Sequence, residues 1–251
     1  MSGHSHWSRI KRKKAVVDAR RGAAWSKLSK NITIACRFGG GNADMNPRLR
    51  LAIEKGRAAN MTRDAIEKAI KKGTGELGGN DLEELVYEGY GPGGVAILCQ
   101  AATDNRNRTA PEIKKIFERH NGNMGASNCV AWMFSQKGVI NVETKAADED
   151  TLMEIALEAG ADDVRLEGEV FEITCEVSAL DAVQEALKKR EIAVESADIS
   201  MIPSSSVTVD RHTGPQVMAL LEELDEHDDV QSVSSNSEIP DDVLAEMEKG
   251  A

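Results

Sequence analysis

The run from residue 139 to residue 202 constrains the fold most, because strand and helix patterns alternate there in one complete order. Strand patterns lie at residues 139–142, 164–166, 170–175 and 195–202. Apolar residues at helical spacing lie between them, first at Leu152, Ile155, Ala156 and Ala159 and then at Leu180, Val183 and Leu187. The order strand–helix–strand–strand–helix–strand is that of the ferredoxin-like fold. We therefore predict a ferredoxin-like α+β domain at residues 136–206.

The segments on either side of this run form a second α+β unit. Strand patterns at 85–90 and 95–101 flank the turn sequence Gly91-Pro92-Gly93-Gly94, which predicts a β-hairpin. A capping box at residues 109–112 predicts a helix, and a strand is predicted at 130–134. After residue 206, a helix opening at Thr213 and a strand at 230–234 complete the sheet. The ferredoxin-like domain is thus predicted to be inserted into a domain of residues 79–135 plus 207–240, with 241–251 as a tail.

Residues 1–78 are predicted to form a flexible arm followed by a three-helix domain. Ala24, Leu28 and Ile32 recur every fourth residue and predict one buried helix face, which ends at the glycines of residues 39–41. Asn46 and Thr62 are typical N-cap residues for two more helices. A helix-turn-helix reader is one interpretation of this domain, although the turn signal is loose. The whole chain is thus predicted to be α+β, with one helical domain before two α+β domains.

Charge is distributed very unevenly along the chain. Residues 1–72 contain 18 Lys and Arg against 5 Asp and Glu, although the whole chain has a net charge of −11. Clustered cations bind phosphate backbones and release counterions, so we predict nucleic-acid binding there; two solvated surfaces are the alternative. The predicted contact residues are His4, Trp7, Arg9, Lys11, Arg12, Lys13, Lys14, Arg20, Arg21, Lys27, Lys30, Arg48 and Arg50. Trp7 could stack on a base, but an anchor between the arm and the core is favoured.

A second anion contact is predicted in the polar loop at residues 103–108. The loop lies between a strand and a helix N-terminus, where unpaired backbone N–H groups attract anions. Asn105, Arg106 and Arg108 are the candidate contacts. The alternatives are a bridge to the N-terminal domain and a loop held by pairs between Asp104 and its own arginines.

The sequence contains no motif for catalysis or metal binding. Its five histidines lack metal-ligand spacing, and Cys36, Cys99, Cys129 and Cys175 lie far apart, which predicts reduced and mostly buried thiols. There is no GxSxG or Walker motif, so we expect neither an enzyme nor a cofactor. The sequence also has no apolar run of membrane-spanning length and no signal-peptide pattern. A cytoplasmic protein is expected, with an organellar transit peptide as the alternative for the Arg-rich start.

Ten short motifs together carry a family resemblance. In chain order they are GHSHW, a basic run to DARRG, FGGG, NPRLR, NMTRDAIEKAI, YEGYGPGG, TDNRNRT, KGVI, ALEAGADDV and MIPS, and the resemblance runs from residue 2 to about residue 240. The sequence resembles the YebC/PmpR family. The resemblance implies a helical domain followed by two α+β domains, and a cytoplasmic DNA-binding transcriptional regulator. Mitochondrial relatives are translational activators of cytochrome c oxidase, and bacterial members have been linked to ribosomes stalled on proline-rich stretches.

Two departures from the family pattern are small. His6 stands where the family usually has Lys, which removes one phosphate contact at neutral pH. Gly56 stands where Ala is common, which softens that helix slightly.

Two functions stay open at this point. The family resemblance favours a transcriptional regulator on DNA, whereas the lack of a clear recognition helix or dimerisation element favours a ribosome-associated translation factor on rRNA. The expected partners are DNA or rRNA and, in the second case, the ribosome. No membrane partner is expected, and the protein is expected to be a monomer or weak oligomer.

Overall fold

The computed structural model describes residues 21–78, 82–240 and 243. Its α-helices are α1 (Arg21–Gly39), α2 (Pro47–Ala58), α3 (Arg63–Gly73), α4 (Arg106–Arg119), α5 (Glu149–Glu158), α6 (Leu180–Lys189) and α7 (Thr213–Glu226). Its strands are β1 (Glu83–Tyr90), β2 (Ala96–Thr103), β3 (Asn123–Met124), β4 (Phe134–Glu143), β5 (Ala161–Glu167), β6 (Val170–Cys175), β7 (Ser196–Pro203), β8 (Val207–Thr208), β9 (Val230–Ser235) and β10 (Ser237–Glu238). These elements form an N-terminal helical unit followed by two units that each contain a sheet, which confirms the predicted fold class.

The helical unit packs α1 against both α2 and α3 around Ile32, which is fully buried. Both predicted N-caps are confirmed: the Asn46 side chain accepts from the backbone N–H of α2, and Thr62 does the same for α3. The predicted inward position of Ala24 is wrong, because Ala24 is exposed. Its neighbour Trp25 packs against the core instead, and its indole N–H donates to the Ala59 carbonyl at 2.9 Å. The larger side chain, with a polar group to satisfy, determines which helix face is buried.

The second unit has a four-stranded antiparallel sheet in the order β3-β1-β2-β9. The predicted hairpin between β1 and β2 is confirmed, and Gly93 and Gly94 in its turn have φ of 73° and 76°, where glycine is favoured. Helices α4 and α7 cover one face of the sheet with Phe117 and Leu220. The other face is shared between the helical unit and the third unit, so this sheet is the centre of the molecule.

Two predictions for the second unit are wrong. Helix α4 begins at Arg106 rather than at residues 109–112, because Asn105 accepts from the N–H of residue 108 and acts as the cap. The predicted strand at 130–134 is a 3₁₀ turn over Ala131–Met133 followed by β4. The buried Glu88 carboxylate accepts the N–H groups of residues 128, 130 and 131, which leaves them unable to pair in a sheet.

The third unit has the sheet order β5-β6-β4-β7, with every neighbouring pair antiparallel. Helices α5 and α6 pack on one face around Ile140, Leu152, Ile173 and Leu187. This is the predicted ferredoxin-like arrangement. The chain then returns through β8, and β9 pairs with β2 of the second unit, so the third unit is inserted into the second. The residue-level domain boundaries stay predictions.

None of the helices in the described part of the chain combines the length and apolar character needed to cross a membrane.

Candidate nucleic-acid interface

Most of the predicted nucleic-acid contacts lie in the arm, outside the described residues. They are His4, Trp7, Arg9, Lys11, Arg12, Lys13, Lys14 and Arg20, and for Arg21 only the backbone is described. Their role stays a prediction. The structure does place the other four predicted contacts, which belong to α1 and α2.

The two predicted contacts on α1 whose side chains are described, Lys27 and Lys30, face the second unit. The Lys27 ammonium donates to the carbonyl oxygen of Asp225 at the end of α7. The Lys30 ammonium donates to the Asp229 carboxylate at 2.6 Å and to the Asp228 carbonyl oxygen at 3.0 Å. The two lysines therefore join the helical unit to the end of α7 and to the segment that follows it.

Asp229 is the centre of a buried polar cluster, with only 2% of its surface exposed. One carboxylate oxygen accepts from Lys30, and the other accepts from Arg108 at 2.8 Å and from the Thr109 hydroxyl at 2.7 Å. Burial raises the pKa of Asp229, but the hydrogen bonds from Lys30, Arg108 and Thr109 lower it further, so that it lies well below the ordinary carboxyl value. The residue is therefore an anion at neutral pH and holds both cations in place.

This cluster determines what the loop at residues 103–108 can do. Arg108 is bound to Asp229 and, at 3.4 Å, to Asp104 of the loop itself. Asp229 also binds Lys30, so this carboxylate lies between Arg108 and the helical unit. Asn105 serves as the cap of α4. Arg106 is exposed and lines a surface cavity of about 340 Å³. A second anion contact in this loop stays a prediction.

The cations of α2 that face the rest of the molecule are also paired. The Arg48 guanidinium binds the Glu84 carboxylate of β1 through both terminal nitrogens. Arg50 binds Asp181 at the start of α6. Lys55, which the sequence did not single out as a contact, binds Asp198 of β7. The partner carboxylates are 36 to 143 residues away in sequence, so no local sequence pattern indicates these ion pairs.

Three lysines on α3 have a different environment. Lys68, Lys71 and Lys72, which we call the α3 lysine cluster, are exposed and form no ion pair within residues 21–78, 82–240 and 243. Lys71 and Lys72 follow Lys68 by three and four residues, which places all three on one side of the helix. Helix α3 follows α2 after a four-residue turn in which Asn60 has φ of 58°. The helix period of α3 would have identified this cluster from the sequence.

Three of the four cysteines, Cys36, Cys99 and Cys175, are buried away from solvent. All four are free, and burial raises the pKa of Cys36 and Cys175 to about 11 and that of Cys99 to about 12. These thiols are therefore protonated at neutral pH, and the thiolate is the reactive form. In the described part of the chain, no group of three or more His, Cys, Asp or Glu side chains could hold a metal ion.

Comparison with known proteins identifies the family. Residues 5–76 match the TACO1/YebC protein N-terminal domain, and residues 82–237 match the TACO1/YebC second and third domain. Relatives named probable transcriptional regulatory protein include one from Desulfatibacillum aliphaticivorans, 53% identical over 98% of this chain and 100% of that protein. Another, from Geobacter sulfurreducens, is 50% identical over 99% of each chain.

A solved structure has the same fold. The crystal structure of a conserved hypothetical protein, Aq1575, from Aquifex aeolicus is similar to this chain with a TM-score of 0.85 and 50% sequence identity. The similarity covers 94% of this chain and 97% of that one. The chain therefore belongs to the TACO1/YebC family, whose curated relatives are named as regulatory proteins.

Proposed function

We propose that this protein is a DNA-binding transcriptional regulator whose basic N-terminal segment binds the phosphate backbone. One observation carries the proposal: residues 1–72 contain 18 basic and 5 acidic residues in a chain that is otherwise strongly acidic. Lysine and arginine contacts to phosphates supply most of non-specific binding and a large share of specific binding. The names of the relatives, probable transcriptional regulatory protein, support the same function.

The α3 lysine cluster supports a phosphate contact in the folded part of this segment. Its ammonium groups are exposed on a helix that follows a short turn, and their charges are not cancelled by ion pairs within the described residues. Lysine side chains are flexible point charges that suit phosphates without selecting a base. We assign the cluster to backbone contact, beside the predicted contacts of the arm.

A second candidate, an rRNA-binding translation factor associated with the ribosome, is favoured by one feature of α3. The exposed residues of its N-terminal half are Arg63, Asp64 and Glu67, and Arg63 is bound to Glu67 at 2.8 Å. A recognition helix reads bases with arginine, asparagine or glutamine side chains at its N-terminal end. Because α3 offers mainly phosphate contacts, its surface suits RNA as well as DNA. In both cases the proposal is a cytoplasmic monomer or weak oligomer without a membrane partner.

Salt dependence of binding tests the proposal. Fluorescence anisotropy of the full chain with a labelled 25-bp DNA duplex and an RNA hairpin of equal length, from about 50 to 300 mM KCl, gives the slope of log K against log salt. If about six phosphates are neutralised on DNA, the slope is near −5. An absence of binding to both probes, or a flat response to salt, would refute the proposal. Crosslinking in cells followed by sequencing then separates promoter DNA from rRNA as the target.

A matched pair of variants tests the α3 lysine cluster. The cluster is neutralised by Lys68→Gln, Lys71→Gln and Lys72→Gln, and the control neutralises three exposed lysines of the other units by Lys115→Gln, Lys188→Gln and Lys189→Gln. The cluster variant should lower the magnitude of the salt slope by up to about 3, since each lost phosphate contact removes about 0.9. The control should leave the slope unchanged. Equal slopes in both variants would exclude the cluster from the interface.

A further inference from the structure

Four cations of the helical unit form what we call the inner basic face. They are Lys30 of α1 and Arg48, Arg50 and Lys55 of α2, and each is bound to a carboxylate of another unit. Two of the carboxylates, Asp229 and Glu84, belong to the second unit. The other two, Asp181 and Asp198, belong to the third unit. Opposite charges therefore join the helical unit to both acidic units, beside the buried apolar contact of Ile34 with Leu82 and Ala102.

We propose that the inner basic face is a second phosphate-binding surface, which the carboxylates of the other two units cover and for which nucleic acid competes. The inference rests on the proposed function, because it concerns how the same unit binds a polyanion. A carboxylate and a phosphate accept the same hydrogen bonds from a guanidinium fork, and Arg48 already uses both of its terminal nitrogens on Glu84. The inner face can thus bind phosphate only when the helical unit separates from the carboxylates.

The strength of the ion pairs made by α2 suits a reversible cover over its cations. In the three pairs made by α2, every side chain retains 35–48% of its surface in solvent. Exposed pairs of this kind each shift an equilibrium by a factor of only about 1.5 to 5. Phosphates arranged along a nucleic acid can replace such carboxylates. The pair between Lys30 and Asp229 is more buried, so we expect it to be the last to separate.

Competition has a measurable thermodynamic consequence. When only a fraction of molecules is open, the apparent dissociation constant is the intrinsic one divided by that fraction. Variants that weaken the cover should therefore bind nucleic acid more tightly, even though their substitutions add no basic residue. Salt also weakens the cover itself, so the uncovered protein should show a steeper loss of affinity with salt than the wild-type protein.

The experiment uses the full chain with the carboxylates neutralised and the cations intact. The release variant combines Glu84→Gln, Asp181→Asn and Asp198→Asn. A control variant with the same change in net charge combines Glu154→Gln, Glu158→Gln and Glu191→Gln, three exposed carboxylates without an ion pair in the described part of the chain. Anisotropy at 150 mM KCl with the DNA and RNA probes gives the affinities, small-angle scattering gives the radius of gyration, and far-UV circular dichroism checks folding.

The release variant is expected to bind at least about threefold more tightly than the control variant, with a steeper salt slope and a larger radius of gyration. Equal affinity and equal slope in the two variants would overturn the inference while leaving the proposed function intact. Loss of binding in the wild-type protein and all variants would instead refute the proposed function. If the triple variant does not fold, Glu84→Gln against Glu154→Gln makes the same comparison with a smaller expected gain.

Discussion

Replacing Asp229 with Asn removes the charge at the centre of the buried cluster while keeping nearly the same shape. Breaking a buried ion pair by removing one partner costs about 3–5 kcal/mol, because the remaining charge loses both its partner and its water. Here the partners differ in exposure: the Lys30 and Arg108 side chains keep 22% and 46% of their surface in solvent, against 3% for Asp229. Both cations can regain water, and the Thr109 hydroxyl still reaches the Asn105 carbonyl at 3.1 Å. We therefore expect the lower end, a loss of about 3 kcal/mol in the free energy of unfolding.

The matched control is Asp228→Asn, which makes the same change of charge at the neighbouring, exposed carboxylate. Urea unfolding of both variants, followed by circular dichroism at pH 7, measures the difference. Exposed side chains of this kind change stability by about 0.5 kcal/mol or less. If Asp229→Asn lies within about 0.5 kcal/mol of Asp228→Asn, the cluster is not the stabilising element described above.

The pH dependence gives an independent check on the same residue. The pKa of Asp229 is lower in the folded protein than in the unfolded chain, so its stabilisation is fully present above the unfolded pKa and is lost as pH falls through the folded one. The wild-type free energy of unfolding should therefore decline between about pH 5 and pH 2. Asp229→Asn should decline less over that window, and parallel curves for the two proteins would contradict the assigned cause.

Three further changes test local features of the fold by urea unfolding. Glu88→Gln removes the charge that binds three backbone N–H groups and should lower the free energy of unfolding by about 2 kcal/mol. It should also alter the fluorescence of the adjacent, exposed Trp132, and an unchanged spectrum would contradict this. Thr62→Ala removes the N-cap of α3 and should cost about 1 kcal/mol, whereas Thr62→Ser should retain most of that stability. Gly73→Ala places a Cβ 2.3 Å from the Thr33 carbonyl oxygen, so α1 and α3 must move apart and the free energy of unfolding should fall by about 1–3 kcal/mol. An unchanged free energy of unfolding would show that the two helices have room for the methyl group.

Local chemistry made much of the fold predictable. The caps Asn46 and Thr62, the hairpin at residues 91–94 and the order of elements from 139 to 202 depend on residues close together in sequence, and the structure confirms them. The errors have distant causes. Residues 130–134 have a strand-like composition, but the carboxylate that keeps them out of the sheet belongs to Glu88, about 40 residues earlier.

The candidate site was predictable in its charge and not in its geometry. The excess of cations before residue 73 is visible in the sequence, but the pairing of Arg50 with Asp181 joins residues 131 positions apart. Periodicity places a side chain on a face of its own helix; it does not indicate which other unit lies opposite. For this reason the sequence predicts Lys30 and Arg48 as nucleic-acid contacts but does not indicate their ion pairs with Asp229 and Glu84 of the second unit.

The ion pairs between units change what the charge count means for binding. A polyanion responds to the local field, which salt screens over about 8 Å at physiological ionic strength, and not to the sum of charges over a segment. On the inner basic face each cation has a carboxylate in contact, so its field is largely cancelled there. At the α3 lysine cluster no ion pair within the described residues reduces the field. Within the folded helical unit, the proposed first contact with nucleic acid is therefore on α3, and the proposed contact with the inner basic face requires separation of the units.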